Sequence, residues 1–228
     1  MKKFLIIALF GLSVLMADNM LKIGTYSWFG GGSTASLTVH KDRANGYGIS
    51  GQAYYGMSRK FGPNMGDLSF TGFLNKGKLV YTEGKGEDAY ILTLKVREDG
   101  SFDIKEQGLP PFGHNVRFEG HFTSDDKPSF DCSKARSFTE KVICDNKGIA
   151  RLDRKMAKSY SLLKSGFFYK DKREIKVKAL KDEQRQWMKK RNACKNQKAY
   201  LGCYESEYFK RIKSLNKGFE GLWSYDEK

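Results

Sequence analysis

The chain has 228 residues, with 41 Lys and Arg against 26 Asp and Glu, three histidines, four cysteines and a formal net charge of +15. That length holds two small domains or one of ordinary size, and no more. The charge is divided: residues 1–126 carry 14 Lys and Arg against 13 Asp and Glu, residues 127–228 carry 27 against 13, and every cysteine lies in the second part.

The N-terminus opens with Lys2 and Lys3, continues through the apolar run 4–16 and turns polar at Asp18. This is the layout of a secretory signal peptide, residues 1–17, with cleavage expected after Ala17. An uncleaved anchor is the competing reading, but about thirteen apolar-rich residues are short for a bilayer core. No cysteine stands near the junction to take a lipid. A periplasmic or secreted product is expected.

Residues 18–126 read as an antiparallel all-β domain, a small meander barrel. Short β-rich runs at 21–28, 36–40, 46–54, 68–73, 78–81, 89–96, 102–105 and 115–122 alternate with Gly, Asn and Asp punctuation. In the sixth run Tyr90, Leu92, Leu94 and Val96 share one face, the period-two pattern of a half-buried strand. Turns are expected at Gly62-Pro63-Asn64, Asn75-Lys76-Gly77 and Glu98-Asp99-Gly100. Closure of eight strands removes unpaired edges, with a two-sheet sandwich as the rival. Phe70, Phe73, Tyr81, Tyr90 and Phe102 are expected inside, filling a barrel just wide enough for side chains rather than holding a ligand. His114 and His121 flank the last run at an offset that sends them to opposite faces, with no carboxylate spaced to orient either ring. They and His40 read as surface residues, so no metal or other cofactor is expected.

Residues 127–228 read as an all-α, disulfide-bonded bundle. Ser137-Phe138-Thr139-Glu140 has the form of a capping box and starts a short helix to about Asp145. A second helix runs from near Gly148 to Gly166, with Ile149, Leu152, Met156, Tyr160 and Leu163 as its apolar stripe. A third spans about 172–194 and puts Gln184, Trp187, Arg191 and Cys194 on one face. The fourth, about 199–215, carries Tyr204, Tyr208, Ile212 and Leu215 and is expected to stop before Gly218. The tail beyond, with Phe219, Trp223 and Tyr225, is expected to pack back on the protein. Four cysteines in an exported chain read as two disulfides. A four-thiolate zinc site would favour pairs roughly two to four residues apart, and these pairs are wider.

Ser129-Phe130-Asp131-Cys132, Glu140, Ile143-Cys144, Leu152-Asp153, Tyr160, then Gln184, Trp187, Arg191 and Cys194, and finally Cys203, Tyr208, Arg211-Ile212 and Leu215 follow one another in a recognisable order and spacing. In these residues the chain resembles the LprI-type lysozyme-inhibitor family over about residues 128–215. The resemblance leaves the barrel outside. It implies a lysozyme as partner and a fold in which most matched residues are structural. Trp187 would anchor the core, and Asp153 would pair with Arg191 or Arg211, each charge being costly to bury alone. Local disulfides, Cys132 to Cys144 and Cys194 to Cys203, would tie neighbouring turns, each closed loop contributing about 2–3 kcal/mol. Crossed bridges stay open among the three pairings that four cysteines allow.

Lys170, Lys172, Arg173, Lys176, Lys178, Lys181, Arg185, Lys189 and Lys190 make the third helix and its approach densely positive. Anionic envelope glycan, lipid head groups or an acidic protein surface are the partners such a face fits in an exported protein. It equally fits a solvated helix face. Nucleic acid is not expected, since no reading motif accompanies the charge. An enzyme is not expected either: the second domain has no histidine, and its cysteines are assigned to disulfides. Two functions remain, a lysozyme inhibitor and an envelope module whose basic bundle binds anionic glycan or lipid while the barrel serves as a spacer or small-ligand carrier.

Overall fold

The computed structural model describes residues 20–57, 62–167, 170 and 172–222. The expected signal peptide and the end of the tail lie outside them. Eight strands come first: β1 (Gly24–Gly30), β2 (Ser33–Lys41), β3 (Tyr47–Tyr55), β4 (Asn64–Gly72), β5 (Lys78–Glu83), β6 (Tyr90–Val96), β7 (Phe102–Gln107) and β8 (Gly120–Ser124). All pairs are antiparallel, in the order β4-β3-β2-β1-β8-β7-β6-β5. Two four-strand meanders therefore join where β1 meets β8, through Tyr26 opposite Ser124 and Ser27 opposite Thr123. The result is a nearly closed barrel whose two end strands, β4 and β5, share no ladder. Side chains fill that gap, with Phe70 of β4 stacked on Tyr81 of β5 at 4.6 Å between ring centroids.

Alternation explains the interior. Tyr90, Leu92, Leu94 and Val96 on β6 are all buried, as are Leu37 and Val39 on β2 and Phe102 and Ile104 on β7. Tyr26, Phe102 and Phe122 form a run of touching rings across β1, β7 and β8. Gly51 marks a close approach between strands, because a Cβ there would meet the Ser36 carbonyl oxygen at 2.0 Å.

Four features of the barrel differ from the sequence reading. Phe73 is 68 % exposed, since it falls past the end of β4 and escapes the alternation that buries Phe70. The run 115–122 is a strand only from Gly120. Before it, the segment 112–118 folds irregularly over the open side: Phe112 packs on Gly66 and Tyr90, and the Phe118 amide donates to Glu106 Oε1 at 2.8 Å. Asn64, expected in a turn, begins β4. His121 does have an orienting carboxylate, because the β7–β8 register sets Asp103 opposite it, and Asp103 Oδ1 lies 2.9 Å from His121 Nδ1. That partner is 18 residues away in sequence and invisible to local spacing.

The helical region comprises a 3-10 turn at Cys132–Lys134, then α1 (Phe138–Asp145), α2 (Lys147–Gly166), α3 (Arg173–Ala193), a second 3-10 turn at Cys194–Asn196, and α4 (Tyr200–Glu220). The capping box at Ser137 and Glu140 starts α1, and Asn146 caps α2 by accepting from the Ile149 amide. Ile149, Met156 and Leu163 of α2 meet Tyr204, Tyr208, Ile212 and Leu215 of α4 in a second core. Disulfides join Cys132 to Cys144 and Cys194 to Cys203, the local pairing among the three open to the sequence.

Helix α4 runs past its expected end through Gly218 to Glu220. That glycine marks contact rather than termination: a Cβ would stand 3.1 Å from Leu163 Cδ2, so α4 and α2 approach closely there. Leu222 is buried and Phe219 packs on the same core. No helix among the described residues is long and apolar enough to cross a membrane.

Candidate functional site

The residues that carry the sequence resemblance converge inside the helical region. Asp153 on α2 is 2 % exposed. Its Oδ2 accepts from the Ser129 amide at 2.9 Å and the Ser129 hydroxyl at 2.6 Å, and its Oδ1 accepts from the Tyr208 hydroxyl at 2.7 Å. Arg191 Nη1 on α3 donates to the Tyr208 oxygen at 3.0 Å and lies 3.9 Å from Asp153 Oδ1. One turn earlier, Trp187 packs edge-to-face on Tyr208 with ring centroids 5.2 Å apart, and its Nε1 donates to the Glu207 carbonyl at 3.0 Å. The Arg191 guanidinium stands 5.1 Å from the Trp187 ring centroid. One carboxylate thus ties α2, α3, α4 and the segment entering the helical region.

Electrostatics fix the proton positions in this cluster. Burial, then the neighbouring Asp153 charge, raises the Tyr208 pKa far above the ordinary phenol, with Arg191 opposing. The hydroxyl therefore stays protonated, donating to Asp153 and accepting from Arg191. Buried charges held this way are costly to separate, because removing one leaves the other unpaired in a medium that solvates it poorly.

Arg211 is placed differently. Its Nε donates to Gln184 Oε1 at 2.9 Å and its Nη1 lies 3.3 Å from Glu183 Oε2, while Nη2 is buried without a partner among the described residues. Gln184 in turn donates to Met156 Sδ at 3.2 Å. Arg191, not Arg211, is the cation beside Asp153. Glu140 serves the α1 cap, accepting from the amides of Ser137 and Arg136 at 2.8 and 2.9 Å; those bonds hold its pKa below the usual carboxylate value.

The basic residues read from the third helix stand apart from this cluster. Lys172, Arg173, Lys176, Lys178, Lys181, Arg185, Lys189 and Lys190 are all exposed on or beside α3, which buries only Leu180 and Trp187. Arg185 pairs with Asp182 one turn away at 2.8 Å. The chemistry available is a row of exposed cations along a helix that buries only two side chains. No group of three or more His, Cys, Asp or Glu among the described residues is placed to hold a metal ion.

A second cationic group escaped the sequence reading. On α2, Arg154 is 8 % exposed and faces the barrel, where its Nη2 donates to the Ser27 carbonyl of β1 at 2.6 Å. Its Nε reaches Ser27 Oγ at 3.2 Å and Asp125 Oδ1 at 3.3 Å, and the Ser27 hydroxyl also donates to Asp125. Burial lowers the Arg154 pKa, and Asp125 offsets part of that. Arg151 Nη2 binds Asp126 Oδ1 at 2.6 Å just outside. Together these contacts seat α2 on the line where β1 and β8 close the barrel. The signal was present: Arg151, Arg154, Lys155 and Lys158 recur at three- and four-residue steps along α2, as one helix face requires. The apolar stripe beside them is the stronger local pattern, and the acceptors of Arg151 and Arg154 lie 25 or more residues away in the chain.

No curated protein and no solved structure matches the chain. Over residues 132–215, the helical region matches the family model of Lysozyme inhibitor LprI.

Proposed function

We propose that this is an exported, non-enzymatic binding protein whose helical region binds and blocks a lysozyme. The family match over residues 132–215 carries the reading. Both disulfides fall inside that region, which accords with an oxidising compartment. Because Asp153, Trp187, Tyr208 and Arg211 are buried, the target meets the exposed side chains that this frame presents. A lysozyme cleft carries a pair of carboxylates, and an inserted lysine or arginine would pair with them. Many lysozymes are basic, so the long-range repulsion between two cationic bodies slows encounter at low salt.

The test is titration of muramidase activity with the purified disulfide-bonded protein, using several lysozyme types at two or more ionic strengths. Saturating loss of activity with at least one type, reached faster as salt screens the repulsion, is the expected result. Full activity at excess protein throughout would remove the reading.

A second reading rests on the exposed cations of α3: an envelope module that binds anionic glycan or lipid. Binding to anionic vesicles should fall when Lys176, Lys181 and Lys189 are replaced together by Gln. Undiminished binding would sink it.

A further inference from the structure

Beside the Arg154 contact, the surface opens into a pocket of about 330 Å³ between the barrel and α2, lined by Ser27, Ser36, Asp125, Arg151, Arg154, Lys155 and Lys158. We infer that this pocket binds the phosphate group of a small phosphorylated molecule or a phosphate-bearing head group. It lies on α2 and β1–β2, apart from the exposed cations of α3, and its argument does not rest on the lysozyme reading.

Charge comes first. Four cations face Asp125, and Asp126 pairs with Arg151 outside. With each of those carboxylates set against an arginine, Lys155 and Lys158 remain as uncompensated positive charge, the complement of a dianion. Lys158 makes no hydrogen bond or ion pair among the described residues, although it is half-buried. Burial lowers its pKa, the Asp125 charge works against that, and Arg154 adds repulsion. A long cationic side chain kept in such a place without a partner gains from an anion that arrives with its own charge.

Donor geometry comes second. Ser27 uses its carbonyl and hydroxyl to hold Arg154, which fixes the guanidinium without consuming all its donors. Nη1 of Arg154 makes no hydrogen bond among the described residues and is not sealed from solvent. Ser36, the register partner of Ser27 on β2, lines the pocket beside it and offers a neutral hydroxyl donor. A planar guanidinium held rigidly, a hydroxyl and two ammonium groups suit the several acceptor oxygens of a phosphate. The volume exceeds one phosphate and admits a small attached group, but not a folded polymer.

The experiment titrates the full-length, disulfide-bonded protein at constant low ionic strength with three probes: inorganic phosphate, glycerol 3-phosphate and phosphatidic acid vesicles. Calorimetry reads the soluble probes and sedimentation reads the vesicles, with chloride salts and neutral vesicles as controls. One saturable site is expected for at least one probe, weakened roughly tenfold by Lys158→Gln, the loss of one charge-assisted hydrogen bond. Lys155→Gln, at an exposed position, should weaken it less, and Lys176→Gln on α3 should leave it unchanged. Saturation with soluble probes assigns a free phosphate compound, and saturation with vesicles alone assigns a lipid head group; either supports the site. No saturable binding to any probe, or equal loss in Lys158→Gln and Lys176→Gln, overturns it. Circular dichroism checks that each variant is folded, and Lys155→Gln keeps the test decisive should Lys158→Gln unfold. Lysozyme titration of the same variants is read separately, so that failure of inhibition and failure of phosphate binding are told apart.

Discussion

The barrel and the helical region are held together by different physics. In the barrel, aromatic and aliphatic side chains alternate inward from eight strands, a buried carboxylate, Glu106, accepts from the Tyr90 hydroxyl and the Phe118 amide, and Asp103 meets Arg97 and His121 at the surface. In the helical region an ionised cluster runs through the interior, and two covalent bridges close its turns. Antiparallel ladders supply partners for the backbone groups between neighbouring strands and leave the barrel interior mostly apolar. One short helix and three longer ones make a small region with a limited apolar core, so disulfides and a polar clamp complete the fold. Damage to the helical clamp should therefore stay local, and hydrogen exchange resolved by segment can show whether it does.

Asp153→Ala makes the largest test. It removes the acceptor of Ser129 and Tyr208 and leaves the Arg191 guanidinium without its anion. Breaking a buried pair from one side costs about 3–5 kcal/mol. Exchange should accelerate across α2, α3 and α4 while β2, β3 and β6 keep their protection. Equal loss in those strands would mean that the barrel depends on the bundle and that the contrast is false.

Removal of the covalent bridges has a smaller effect with the same address. Replacing Cys194 and Cys203 together by Ser opens a loop with a sequence separation of 9 and should cost about 2–3 kcal/mol. The barrel has no cysteine, so its exchange should be unaltered by this change or by a reducing agent. A lowered melting temperature for the helical signal, with the strand signal constant, is the expected result.

The same contrast decides what could be read from the chain alone. Alternation on β6 is a local signal, and Tyr90 to Val96 bury as it dictates. The periodic stripe of α2 and the capping box of Glu140 are local too, and both elements are present where the pattern puts them. Contacts between distant segments were harder to read. The pairing of His121 with Asp103 follows from sheet register, and the seating of Arg154 on Ser27 joins residues 127 apart. Gly218 carries the composition of a helix stop, yet it serves close packing of α4 on Leu163. Phe73 shows the reverse error, where an aromatic residue suggested an interior that the strand had already left. For Asp153, the sequence offered two arginines. Only the packing of α3 against α4 selects Arg191.

Acid gives the smallest effect and sharpens the contrast from the barrel side. Asp103 is opposed by its own desolvation, but hydrogen bonds from Arg97 and His121 win and hold its pKa below the ordinary aspartate value. A group depressed in the folded state stabilises above its unfolded pKa, and that stability is lost as pH falls through the folded pKa. Partial exposure of both partners screens the pair, so the loss should be modest. Asp103→Asn should lower barrel stability near neutral pH and flatten its decline below the ordinary aspartate range. In the helical region, Glu140 is depressed by the amides of its capping box, so its acid dependence has an independent source. That dependence should persist unchanged in Asp103→Asn, as read by segment-resolved exchange along the pH series. If the helical decline flattened as well, the surface pair on β7 and β8 would be coupled through the α2 contact at Ser27 and Asp125, and the two regions would have to be treated as one cooperative unit.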